Sequence, residues 1–220
     1  MNHFKYISIV FAGILLVFIV APGRADAAPF VHTYTSRTLF LADVSKSLEI
    51  AGFEGIPAGT MYPNGSLVDG VIVEHSEPLI SILVTDSYYQ TSPGGRNTLA
   101  LDTIDQAFLS GDSCSFFFTE SVLAFGINVI GSPGDVRPGD FTLFASSTDV
   151  SNGEIPDDVL PDGGEVYFLG VFVESANPGS MFNQASLESK DPAGDGLFVF
   201  NLDDITISRQ LVEGTGYLIW

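Results

Sequence analysis

The sequence predicts an all-β fold: a two-sheet antiparallel β-sandwich with one short N-terminal helix. Three observations predict it. The apolar runs are short and rich in Val, Ile, Phe and Leu. Clusters of Gly, Pro, Asn and Asp punctuate them, as turns punctuate strands. Only one stretch carries helical periodicity. Many strands with one helix can bury their apolar faces only on each other, and two packed sheets do this.

Residues 1–27 read as a secretory signal peptide outside the fold. Lys5 supplies the positive start, and Tyr6 to Ala21 is apolar except for Ser8 and Gly13. Pro22-Gly23 breaks the run, and Ala25-Asp26-Ala27 gives a small-x-small cleavage pattern, with cutting expected after Ala27. A membrane anchor is the competing reading. A run of about 16 residues falls short of the roughly 20 needed to span a bilayer. Residues 28–220 contain no linker and no internal repeat, so a single domain is expected.

Strands are expected at Phe30–Tyr34, Leu48–Phe53, Leu67–Glu74, Leu79–Thr85, Thr98–Leu101, Cys114–Glu120, Ala124–Ile130, Phe141–Ser146, Glu165–Glu174, Met181–Ser186 and Leu197–Ser208. Between them lie turn signals such as Pro63-Asn64-Gly65, Pro133-Gly134-Asp135 and Asp162-Gly163-Gly164. Phe198, Phe200 and Leu202 share one strand face. Thr142–Ala145 and Phe168–Phe172 are apolar on both faces, as central strands are. The helix is expected from Ser36 to Ser47, capped by Ser36, with Leu39, Phe40 and Val44 on one side.

Composition narrows the function. The chain has 220 residues, 8 Lys+Arg and 27 Asp+Glu, for a formal net charge of −19. Such a surface repels phosphate backbones and anionic membranes, so nucleic acid is not an expected partner. No stable membrane insertion is expected once the signal is removed. A single cysteine, Cys114, excludes an internal disulfide and reads as a small strand residue. With three histidines in all, a multi-histidine metal centre is not expected.

Four segments together resemble secreted bacterial proteins of the PEP-CTERM type. TSRTLFLADVSKSLEIAGFEGIPAGT (35–60) is similar to their opening helix and Phe-Glu-Gly strand, with Gly70-Val71-Ile72-Val73 as the strand that follows. SFFFTESVLAFGINVI (115–130) is similar to their central hairpin, VYFLGVFVES (166–175) to their Phe-x-Gly-Val strand and FVFNLDDITI (198–207) to their closing strand. The resemblance implies a jelly-roll, lectin-like or carbohydrate-binding-like module at the cell surface or in the matrix. After Ile207 the chain reads SRQLVEGTGYLIW, without Pro-Glu-Pro, an apolar span or a basic tail, so plain secretion is the expectation.

The resemblance also implies a structural calcium ion. In carbohydrate-binding jelly rolls an early Phe-Glu strand lies beside a terminal Asp-Asp strand, and together they hold the ion. Phe53-Glu54 and Asp203-Asp204 match those pieces, making Glu54, Asp203 and Asp204 the candidate ligands. Calcium takes six to eight oxygens, largely from carboxylates and carbonyls. Strict alternation from Phe198, Phe200 and Leu202 places Asp204 on the inward face, where a carboxylate needs a partner or an ion. The competing reading is a turn cap.

Three further candidates complete the reading. Asp149, Glu154, Asp157, Asp158, Asp162 and Glu165 lie in one stretch without a base, and lack calcium-loop spacing; a solvated loop is expected. A pair such as Glu165 and Glu174 could in principle serve as glycosidase acid and base, but nothing fixes their separation and an acid-rich chain offers many coincidental pairs. His32 and His75 lack a triad context, and no Gly-x-Ser-x-Gly occurs, so a non-enzyme is expected. Sugar binding would draw on Tyr88, Tyr89 and Gln90, with polar contacts from Asn97 or Asn128. The leading expectation is a secreted, non-catalytic module that binds extracellular glycans and is stabilised by Ca2+. The alternatives are a structural extracellular protein without a small ligand, and a glycoside hydrolase.

Overall fold

The computed structural model describes residues 30–44, 48–87, 95–174, 181–190 and 197–209. Over these residues it is an all-β sandwich, 54% strand and 4% helix, of two antiparallel sheets. In chain order the elements are β1 (Phe30–Tyr34), α1 (Arg37–Asp43), β2 (Leu48–Ala51), β3 (Met61–Tyr62), β4 (Ser66–Val68), β5 (Val71–His75), β6 (Ile82–Thr85), β7 (Thr98–Leu101), β8 (Phe108–Leu109) and β9 (Ser113–Val122). There follow β10 (Ala124–Gly131), β11 (Phe141–Ala145), β12 (Thr148–Ser151), β13 (Asp158–Val159), β14 (Glu165–Glu174), β15 (Phe182–Ser189) and β16 (Val199–Ser208).

The larger sheet has ten strands, with main order β1-β14-β10-β16-β7-β6-β3, and β2, β8 and β13 attached beside this path. The smaller has six, in the order β12-β11-β15-β9-β5-β4. From β3 onward the chain changes sheets repeatedly: β4 and β5 lie in the smaller sheet, β6 to β8 in the larger, β9 in the smaller and β10 in the larger. This weaving is jelly-roll-like.

Strand period places the core. Along β14, Tyr167, Leu169, Val171 and Val173 point between the sheets, while Val166, Phe168 and Phe172 point to the outer face. Both faces are covered, which is why the strand reads as continuously apolar. Between the sheets, Phe141 packs at ring-centroid distances of 5.0 Å from Phe200 and 5.4 Å from Phe198. Phe116 packs against Phe125 at 5.2 Å.

Helix α1 lies on the outer face of the larger sheet through Phe40. Its ring sits 5.1 Å from that of Phe168, above Gly126 and Gly170, which face each other across β10 and β14. A Cβ on Gly126 would lie 2.5 Å from Phe168 Cζ and 3.0 Å from Phe40 Cε1. A Cβ on Gly170 would lie 2.9 Å from Phe40 Cδ2. The two glycines make the seat for the ring. The helix departs from expectation in three ways. It ends at Asp43, with Val44 as its C-cap, short of the expected Ser47. Phe40 and Val44 are buried together, but Leu39 is 63% exposed, because it lies about 100° around the helix from Phe40. Ser36 makes no side-chain capping bond; its carbonyl accepts from Phe40 N–H at 3.1 Å.

Two expected strands need correction. Leu67–Glu74 is not one strand but the hairpin β4–β5, folded at Asp69 and Gly70, both with positive φ. Asp-Gly is a favoured two-residue hairpin turn, so the signal was present. A second hairpin follows Ala145, where Ser146 and Ser147 take φ of 49° and 63° and return the chain as β12. Strands β3, β8 and β13 are two residues each, too short for alternation to reveal. Among the described residues, no helix is long and apolar enough to cross a membrane. Residues 1–27 lie outside the described residues.

Candidate functional site

The site grows from an irregularity in β16. Gly126 pairs with Thr206 and Asn128 with Asp203, so Ile127 faces two residues, Asp204 and Ile205. This is a β-bulge, and Asp204 takes the left-handed φ of 46° that it requires. The extra residue resets the alternation. Leu202, Ile205 and Ile207 all point into the core. Asp204 is therefore not on the inward face with Phe198, Phe200 and Leu202, as strict alternation implied. Its carboxylate lies on the outer face, where Asn128 Nδ2 donates to Oδ2 at 3.3 Å and Arg37 Nη2 approaches the same oxygen at 3.3 Å.

The bulge sits where β16 changes partners on its far edge. Leu202 pairs with Leu99 of β7, whereas Ile205 pairs with Ala51 of β2. The exit of β2 and the entry of β7 meet at this seam, and Glu54 fastens them. Its Oε1 accepts from Arg96 N–H at 2.6 Å and Asn97 N–H at 2.8 Å. Asn97 Nδ2 returns the tie, donating to the carbonyls of Ile56 at 2.7 Å and Phe53 at 3.2 Å. The corner turns through Phe53, whose φ of 58° lets its ring enter the core while Glu54 stays exposed. Gly52 lies beneath Asp204; a Cβ there would stand 3.3 Å from Asp204 Oδ1.

Phe53-Glu54 and Asp203-Asp204 are thus brought to one place. Burial pushes the Asp204 carboxyl above its ordinary range, Arg37 opposes that rise, and the charge of Glu54 adds to it. The oxygens that the resemblance assigns to calcium already have partners within the protein. Asp204 Oδ2 already faces a guanidinium and an amide N–H, and Glu54 Oε1 is occupied by two backbone amides. Among the described residues, no three His, Cys, Asp or Glu side chains converge as a metal group. Asp203 is buried on the outer face opposite Asn128.

A polar row continues from the bulge along the same face. Asn201 Nδ2 donates to Thr98 Oγ1 at 2.9 Å, and Thr85 Oγ1 donates to Gln106 Oε1 at 2.7 Å. Asn128 and Asn201 are buried, and among the described residues their Oδ1 atoms accept no hydrogen bond. Asn128 is thus a floor residue under Arg37 and Asp204, not an exposed ligand contact. Asn97 is likewise engaged through its amide nitrogen. Tyr88, Tyr89 and Gln90 lie outside the described residues.

The remaining candidates separate. Glu165 and Glu174 are the two ends of the ten-residue strand β14, roughly 30 Å apart at the usual rise per residue. A glycosidase pair needs roughly 5–10 Å, so these two do not form one. Tyr167 OH donates to Glu165, and His32 pairs with Glu174 at 3.1 Å. In the acidic stretch, Asp157 accepts from Arg37 N–H and Asp162 from Gly164 N–H, which is loop and turn chemistry. Cys114 is buried in β9, and burial drives its thiol far up, away from thiolate chemistry.

No family model matches the chain, and no curated protein matches it by sequence. Among solved structures, the catalytic domain of a GH87 alpha-1,3-glucanase in complex with tetrasaccharides is similar at 13% identity with a TM-score of 0.29, over 68% of this chain and 29% of that one. The same domain in complex with nigerose is similar at 13% identity with a TM-score of 0.28, over the same shares. The aligned region spans less than a third of those chains. Likeness at this level carries no argument about activity.

Arg37 is the site residue that sequence reasoning missed. Its signal was scarcity: in a chain with 8 bases and 27 acids, each base is a candidate partner for a buried carboxylate. Asn201 carried a signal too, as a polar residue set between Phe200 and Leu202.

Proposed function

We propose that the chain is an exported, non-catalytic β-sandwich module that binds extracellular glycans. The observation that carries this reading is the Glu54 corner. Glu54 is exposed, yet two backbone N–H groups fix its carboxylate, so a charged acceptor stands pre-organised at the surface. Sugar hydroxyls are donors, and the second oxygen of a carboxylate already held in place accepts from them at a reduced ordering cost. Export is supported by Lys5, the short apolar run and Ala25-Asp26-Ala27.

A glycan array probed with the purified protein tests the reading, with reproducible hits expected. Glu54→Ala removes a charge-assisted acceptor worth about 1.5–3 kcal/mol, so affinity for those hits drops roughly 10- to 100-fold. A melting curve recorded beside it separates lost binding from a loosened corner. Silence across the array overturns glycan binding and favours a structural coat protein. Turnover of chromogenic glycosides would instead establish a hydrolase. N-terminal sequencing of the secreted protein should begin at Ala28.

A further inference from the structure

We propose that Arg37 is the resident cation of the β16 bulge, holding the seam between β2 and β7 without a metal. The sequence resemblance implies calcium at Glu54, Asp203 and Asp204; the structure puts a guanidinium beside Asp204 instead. Its Nη2 lies 3.3 Å from Asp204 Oδ2, and both side chains are largely withdrawn from solvent, at 19% and 10% exposure. A calcium ion bound to this oxygen would have to share it with a fixed positive charge.

Three further observations support the assignment. First, Arg37 is anchored at both ends: its backbone N–H donates to Asp157 Oδ2 at 3.0 Å, and its head reaches Asp204. Second, it is the first residue of α1, and Phe40, one turn on, is seated on Gly126 and Gly170. The helix therefore delivers the guanidinium to a fixed place. Third, Glu54 adds its negative charge to that of Asp204. Once ionised, carboxylates gathered at a seam are stabilised by a compensating cation, and removing that cation leaves a buried charge without its partner. Calcium supplies that compensation through coordination; Arg37 supplies it through one covalently tethered side chain. The inference does not depend on glycan binding, because its test reads only metal content and melting.

The test compares the purified chain with Arg37→Gln, Arg37→Lys and Asp204→Asn. Wild-type protein is expected to carry no stoichiometric calcium by elemental analysis, and to melt at the same temperature in EDTA and in excess calcium. Arg37→Gln should melt lower than wild type. Calcium should restore part of that loss more effectively than magnesium, which tolerates irregular oxygen cages poorly. At a hundredfold excess over its dissociation constant, the restoration would be roughly 5–10 °C. Arg37→Lys keeps the charge and should remain calcium-insensitive, with most of the melting temperature retained. It also serves as the readable variant if Arg37→Gln does not fold. In Arg37→Gln/Asp204→Asn the calcium response should vanish, and the two losses should combine non-additively. Wild type that holds one equivalent of calcium and melts lower in EDTA would overturn the proposal. Strict additivity of the Arg37 and Asp204 substitutions would do so as well.

Discussion

At the scale of single residues, two buried titratable groups set opposite pH dependences. Asp204 is held above the ordinary carboxylate range, chiefly by burial. A raised carboxyl means that the folded state keeps its proton where the unfolded chain has lost it. Stability from this group is therefore full at low pH and falls as pH rises from about 4 through the raised value. Asp204→Asn has no such titration. In urea unfolding across a pH series, the stability of wild type relative to Asp204→Asn should shrink as pH rises through that window; a constant difference would show that Asp204 does not titrate there. His75 works the other way. Its Nε2 donates to the Ile80 carbonyl at 3.0 Å, and Nδ1 accepts from Glu77 N–H at 3.1 Å, a pattern that needs the neutral ring. Burial holds its pKa below the ordinary value. The stability it contributes is full above about pH 6.5 and is lost as pH falls below that. His75→Gln should flatten the part of the pH–stability curve just below 6.5. Tyr34 shows the same desolvation on a phenol, pushed up to about 12 by burial and by its hydrogen bond to Asp43.

At the scale of elements, the docking of α1 is the contact most sensitive to small changes. A seven-residue helix has little stability of its own, and it holds because Phe40 fills a seat of two glycines. Gly126→Ala places a methyl against Phe168 and Phe40, so one of the rings must move. Overpacking of this kind costs about 1–3 kcal/mol. Phe40→Ala empties the seat and should cost about 3–5 kcal/mol. Both appear as lowered denaturation midpoints. If the helix detaches, Arg37 leaves Asp204 as well, so Gly126→Ala and Asp204→Asn should be non-additive although their side chains do not touch. The long strands were legible because their apolar residues are many and both-faced, as in β14. The β4–β5 turn is legible in Asp69-Gly70, although the apolar residues on both sides of it imitate one continuous strand. The β11–β12 turn was not legible, because Ser146 and Ser147 lack the side chains that usually mark positive φ.

For the whole molecule, the dominant quantity is charge. A formal net charge of −19 on a chain with a pI near 4.1 means that compact packing works against self-repulsion at neutral pH. Screening relieves it. Raising sodium chloride from about 0.01 M to about 0.15 M shortens the Debye length from roughly 30 Å to 8 Å. The melting temperature should rise over that range, and a fall would mean that local ion pairs such as Arg37–Asp204 outweigh the global repulsion. The fold supports the load through an interior of closely packed phenylalanines between two sheets and a second apolar layer beneath α1.

Local period and composition were enough for the all-β class, the positions of the long strands and the reading of Cys114 as a small strand residue, because these are properties of neighbouring residues. That Glu54, Asp203 and Asp204 share one corner was implied by the family resemblance. Only the tertiary structure decided what that corner is. One extra residue in β16 reverses the face of Asp204, and a bulge is defined by the register of the strand opposite. Arg37 lies 167 residues before Asp204 in the chain, and reaches it because Phe40 finds its seat across two further strands. No local pattern encodes either event, since both depend on distant segments arriving at the same place.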